Sequence, residues 1–200
     1  MTDSPTLQRD YSPWPHRFAV ALICATFPLI WVGGLVTTYD AGMAVPDWPS
    51  TYGYNLFLYP WQTWLLGPWD LFIEHGHRLL GALTGMITLA FAAAVFLSDR
   101  RPWMKTAASI AVVLVVTQGI LGGVRVLLDR PGLAMLHGCL GPLFFAYTSC
   151  LAVVTSRRWA ELAHPTETAK DDLPASAKLP GLTILVVGLS YLQLILGAQV

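Results

Sequence analysis

Five stretches of the chain stay apolar for about the length a bilayer demands: 18–37, 71–97, 104–128, 133–155 and 182–200. A helix needs about 20 residues to cross the hydrocarbon, and within it every backbone amide must find its partner inside the segment. The runs therefore predict an all-α integral membrane protein: a four-helix transmembrane bundle over 18–156, then the first helix of a second bundle over 182–200. The composition, 54% hydrophobic and 12% charged, belongs to the same class. The first run is long for a signal peptide and leads into Trp31-Val32-Gly33-Gly34 rather than a small-residue cleavage site, so it is read as a retained helix. Twelve Lys and Arg balance twelve Asp and Glu, which leaves no basic surface for nucleic acid. Cys24, Cys139 and Cys150 all sit within apolar runs and read as small packing residues, neither a disulfide framework nor a structural zinc site.

Charge placement says more than charge balance. Nine of the twelve basic residues fall on one side: Arg9 and Arg17 in the arm 1–17, Arg100, Arg101 and Lys105 in the second connection, and Arg157, Arg158, Lys170 and Lys178 in the polar linker 157–181. The positive-inside rule then puts the N-terminus, arm and linker in the cytoplasm. The long first connection, 38–70, faces outward, lacks Lys and Arg, and carries Trp48, Tyr52, Tyr54, Tyr59, Trp61, Trp64 and Trp69. Such aromatics suit the headgroup region, and the segment is read as an interfacial belt on a loop or short lateral helix, ahead of a direct binding role. Met43-Ala44-Val45-Pro46-Asp47-Trp48-Pro49 is too rich in proline to be helical.

Ionisable groups within a span are costly and mark candidate sites. The second span opens Asp70-Leu71-Phe72-Ile73-Glu74-His75-Gly76-His77-Arg78, with Asp70 as its expected N-cap. Glu74, His77 and Arg78 share one helix face, and His75 points elsewhere. His77 lies about 10 Å and, on the fourth span, His137 about 7 Å below the outer helix ends, so two imidazoles face the bundle at similar depth. With no cysteine or carboxylate cluster beside them, they suit axial ligation of a haem iron better than tetrahedral zinc. Gly81, Gly85, Gly138 and Gly141 would leave a slot for a flat macrocycle, and Arg78 and Arg125 could neutralise its propionates. Blander readings stand beside these. Either histidine could be an interhelical hydrogen bonder, Glu74 and Arg78 an ordinary i,i+4 pair, His75 a supporting or surface residue, and His16 and His164 solvated. Gln118-Gly119-Ile120-Leu121-Gly122-Gly123 in the third span is echoed by Gln193-Leu194-Ile195-Leu196-Gly197 in the fifth, and Gly33-Gly34 holds a similar place in the first, a repeat read as helix packing.

Gly33-Gly34-Leu35-Val36-Thr37, then Gly42-Met43-Ala44-Val45-Pro46-Asp47-Trp48-Pro49, Glu74-His75-Gly76-His77-Arg78, Leu121-Gly122-Gly123-Val124 and finally His137 resemble, in order and spacing, the N-terminal half of the haem A synthase family. The resemblance implies eight helices in two pseudo-symmetric bundles, each with a histidine pair. It implies oxidation of a haem O ring methyl to the formyl group of haem A, for cytochrome oxidase. By it, His77 and His137 hold the iron of the substrate haem, Glu74 is the catalytic carboxylate, Arg78 and Arg125 bind cofactor, and a haem b belongs to the other half. The outer-loop cysteine pair of some members is lacking here. Expected surroundings are a bacterial-type plasma (inner) membrane, haem O synthase and cytochrome oxidase assembly proteins, and a homo-oligomer. A b-type bis-histidine cytochrome that only transfers electrons is the alternative, and a cofactor-free scaffold the third reading. With five spans where the family has eight, the chain is expected to be a fragment without turnover of its own.

Overall fold

A computed structural model describes residues 12–163 and 179–197. The expectations for Arg9, His164, Lys170, Lys178 and Gln199, and for most of the arm and linker, lie outside the described residues. The described chain forms helices α1 (Pro13–Thr38), α2 (Trp61–Leu65), α3 (Trp69–Ser98), α4 (Pro102–Leu128), α5 (Pro131–Val154), α6 (Arg157–Ala163) and α7 (Leu179–Gly197). It falls into two compact units, 1–156 and 157–200.

In the first unit, α1, α3, α4 and α5 are each long and apolar enough to cross a membrane. Each begins two to five residues before its expected run. Proline opens three of them, Pro13, Pro102 and Pro131, where its fixed φ suits a first turn and its missing amide costs nothing. Asp70 does not cap α3, contrary to expectation. Pro68 holds the N-cap, and Asp70, already inside the first turn, accepts the Leu71 amide at 2.8 Å. Hydroxyls within the spans return to their own helix, as when Thr26 donates to the Leu22 carbonyl at 2.7 Å and Thr88 to that of Thr84 at 2.8 Å. Such bonds satisfy a polar group that lipid cannot.

The helices close a ring in which α1 packs on α3 and α5, and α4 on the same two. Its ends differ. At the end remote from the long loop, Ala19, Phe91, Val95, Met104, Ala108, Ala111 and Leu151 form a dry core in which small residues let the backbones approach. Arg101 ties this end by pairing with Asp99 at 2.7 Å and donating to the Val154 carbonyl at 3.0 Å. His16 is not solvated as expected: it is partly buried, and its Nδ1 meets the Ala152 carbonyl at 3.0 Å, near the end of α5, where the Thr155 hydroxyl also donates at 3.2 Å. The loop end has only a small apolar cluster of Val36, Ala41 and Ile73 around its polar residues.

The loop has one 3-10 turn, Ala41–Met43, and otherwise irregular backbone through Pro49, as the prolines dictate. Its aromatics divide. Tyr52, Tyr54, Phe57, Trp61 and Trp69 are exposed, while Trp64 turns inward, stacks on Phe72 and donates to the Phe72 carbonyl at 3.0 Å. In the second unit, the apolar part of α7, Ile184–Gln193, exposes Ile184 through Leu189.

Candidate functional site

His77 on α3 and His137 on α5 face each other at the loop end, with ring centroids 6.3 Å apart and planes at 89°. Each ring rests on a glycine of the helix beside it. A Cβ at Gly33 of α1 would lie 3.0 Å from His77 Cε1, and one at Gly122 of α4 would lie 3.1 Å from His137 Cε1. Gly33 and Gly122 are equivalent members of the glycine pairs read as packing residues, and what they pack against is the imidazoles. One turn before each glycine, the backbone of Leu29 is within weak hydrogen-bonding reach of His77, and that of Gln118 within reach of His137. Neither Nδ1 makes a hydrogen bond of good geometry, and both atoms are buried, although each ring keeps some accessible surface. A Cβ on Gly81, Gly85 or Gly138 would meet nothing within 4 Å.

Glu74 lies one turn before His77 and is 1% exposed. Its Oε1 accepts from Arg78 at 2.6 Å and its Oε2 from the Val45 amide at 2.8 Å. Arg78 donates further to the carbonyls of Asp47 (2.6 Å), Ser50 (2.9 Å) and Val45 (2.6 Å). The pair is therefore an i,i+4 ion pair that also grips the loop, and both terminal nitrogens of Arg78 are spent on it. Asp47 folds the loop back on itself by accepting the Ser50 hydroxyl and the amides of Tyr52 and Gly53, both at 2.8 Å. Burial works to raise the Asp47 carboxyl, but the Ser50 hydroxyl and these two amides hold it below its ordinary value. The Trp48 indole covers Gly123, which has no room for a side chain.

Arg125 stands apart from that network. Its guanidinium packs on Gly42, where a Cβ would come within 2.8 Å of Nη1. It lies within electrostatic reach of Glu74, Arg78, His77 and His137, yet makes no hydrogen bond or ion pair with a described residue. Two guanidinium charges against one carboxylate leave the neighbourhood short of an anion.

His75 is a buried residue, 2% exposed, which removes the surface reading. Its Nδ1 is 3.1 Å from Thr51 Oγ1, and Tyr59 and Trp64 flank the ring at 5.0 and 5.3 Å. It faces the loop, on a different side of α3 from His77, as the helix period required. Sequence reasoning missed the seats provided by Gly33 and Gly122, the Trp48 cover, and Gln118, noticed only as part of a repeat. An amide side chain within an apolar span was the signal for Gln118.

Among the described residues, no group of three or more His, Cys, Asp or Glu could hold a bare metal ion. The paired imidazoles are a different kind of donor set, two facing nitrogen ligands rather than a cluster of three or more.

Residues 69–200 match the COX15-CtaA family, described as cytochrome oxidase assembly protein. Over 180 residues the chain is 32% identical to the heme A synthase of Symbiobacterium thermophilum, an alignment covering 86% of this chain and 54% of that protein. The chain thus spans about half the length of the curated relative it matches. No solved structure matches. The family match covers well over half of the chain and the relative most of it, so the chain belongs to the COX15-CtaA family of cytochrome oxidase assembly proteins.

Proposed function

We propose that the bundle over 18–156 is the substrate-haem half of a haem A synthase, in which His77 and His137 hold haem O while one ring methyl is oxidised to a formyl group. The observation that carries this is the histidine pair. Two iron–nitrogen bonds of about 2 Å, plus about 1.2 Å from each nitrogen to its ring centre, require centroids about 6.4 Å apart. The imidazoles stand at 6.3 Å. The glycine seats behind the two rings, and the open space at Gly81 and Gly85, one and two turns after His77 on α3, fit a flat macrocycle between them.

The haem, when bound, supplies the iron and the methyl carbon that is oxidised. The chain's residues bind, orient and shield it. Arg125, with no anion of its own, takes a propionate. Arg78 acts at one remove, holding the loop and Trp48 over the site through its carbonyl bonds. Glu74 is the catalytic carboxylate: two of its roughly four lone-pair positions are taken, and the others remain to accept a proton or steady positive charge at the oxidised methyl. The electron-transfer reading is kept in view by one observation, that both Glu74 oxygens are already engaged by the loop and Arg78.

We place the N-terminus in the cytoplasm and the site toward the outer face of a bacterial-type plasma membrane, because Arg17, Arg100, Arg101 and Lys105 lie at the opposite end of the first unit and the linker sequence adds further basic residues. Haem O synthase and other oxidase assembly proteins are the proposed neighbours. Haem extracted from the purified full chain and weighed by mass spectrometry tests the proposal. Haem O or haem A supports it, haem b alone supports the electron-transfer reading, and no haem leaves a scaffold.

A further inference from the structure

Among the described residues, three buried side-chain polar atoms have no hydrogen-bond partner: His77 Nδ1, His137 Nδ1 and Gln118 Oε1. All three belong to one place. The histidine nitrogens have weak backbone acceptors in reach, whereas the Gln118 oxygen has no donor. Its orientation is set by chemistry. Gln118 Nε2 lies 3.3 Å from the His137 carbonyl, and turning the amide over would oppose two oxygens. A buried acceptor left without a donor costs about 1–3 kcal/mol, so this oxygen calls for a donor that a bound group can supply.

Gln118, Gly122 and Arg125 follow one another on α4 at i, i+4 and i+7, so they line a single helix face. The middle position seats His137. Gln118 and Arg125 are seven residues and so about 10 Å apart along the axis, a span of the order of a porphyrin's width. The face thus presents an unpaired cation toward the loop end, a bare seat for an axial histidine in the middle, and an unpaired neutral acceptor toward the bundle centre. A ligand with anionic groups on one edge and an uncharged hydroxyl on the other would satisfy both ends.

Resting on the function proposed above, the geometry points to Gln118 as a specificity-determining residue that accepts a hydrogen bond from the alcohol on the hydroxyalkyl side chain of haem O. Haem b carries a vinyl group in place of that side chain and offers no donor. The same amide steadies the His137 carbonyl through Nε2, so selection and iron ligation meet in one side chain.

Titration of the full chain in detergent with haem O and with haem b, wild type against Gln118→Met and Gln118→Glu, tests this by the ratio of the two affinities. In Gln118→Met the preference for haem O over haem b should fall by about 2- to 10-fold, the worth of one neutral hydrogen bond, with haem b binding and its low-spin spectrum kept. Gln118→Glu, protonated in this apolar place so that its O–H replaces the amide N–H against the His137 carbonyl, keeps an oxygen acceptor and should restore most of the preference. An unchanged ratio in Gln118→Met, or an equal loss for both haems as mere support of His137 would give, overturns the assignment. Should Gln118→Met not fold, wild-type protein with haem O acylated at its hydroxyl replaces it: binding no tighter than haem b supports the inference, and binding as tight as haem O overturns it. Failure of the underlying function looks different, since wild type would then bind neither haem, or would bind haem b with no preference for haem O.

Discussion

A methyl group added at Gly33 or Gly122 should separate helix stability from haem binding. Alanine is intrinsically better than glycine in a helix by about 1 kcal/mol, so Gly33→Ala and Gly122→Ala should favour the helices themselves. The new Cβ atoms, however, would lie 3.0 Å from His77 Cε1 and 3.1 Å from His137 Cε1. Carbon contacts settle at about 3.5–4.0 Å, so each ring must retreat by about 0.5–1 Å. The 6.3 Å centroid separation already matches one iron between the rings, with no slack to absorb that movement. A site displaced by about 1 Å commonly loses about 10²-fold, and a ten- to hundredfold weaker haem affinity is expected. Gly34→Ala and Gly119→Ala are the controls, because a Cβ at either position meets nothing within 4 Å. Haem titration followed by absorbance, with thermal unfolding of the haem-free protein in parallel, reads both quantities. If Gly33→Ala binds haem as tightly as Gly34→Ala, the seat argument is wrong.

Three further outcomes follow from the loop and its anchors. Glu74→Gln should leave haem bound with its low-spin spectrum intact and abolish formyl formation in a reconstituted assay, whereas undiminished product would remove the catalytic role. Asp47→Asn should weaken the turn that gathers Ser50, Tyr52 and Gly53, seen as faster proteolysis within 39–60 at neutral pH. In wild type, the Asp47 carboxyl is held below its ordinary 3.8, so its contribution is intact above about pH 4 and lost as pH falls through the folded value; loosening already at pH 6 would contradict this. Gly123→Ala should displace the Trp48 indole and expose the same segment to protease, with the bundle's helix content unchanged.

The membrane character and the spans were legible because lipid imposes a simple rule, and length and apolarity met it four times within the first unit. The depth match of His77 and His137 came from 1.5 Å per residue, and their facing geometry bears it out. What stayed hidden depends on contacts far apart in sequence. Nothing local says that Arg78 spends itself on the carbonyls of Val45, Asp47 and Ser50, about thirty residues away, so a propionate ligand was an equally natural reading. Likewise His16 read as solvated because its partner, the Ala152 carbonyl, lies at the far end of another helix. Asp70 failed as a cap because the chain turned into helix two residues earlier than expected, at Trp69 behind Pro68. Gly33 and Gly122 were seen as small, but which side chain needed that smallness is a tertiary fact.

The central claim is that His77 and His137 together hold one haem. Absorption and electron paramagnetic resonance spectra of the full chain, purified from cells making haem O, test it most directly alongside His77→Ala and His137→Ala. The account predicts one low-spin haem per wild-type chain, and loss of the low-spin signal in each variant. A haem whose spectrum survives either substitution, or a wild-type chain that carries none, would contradict it.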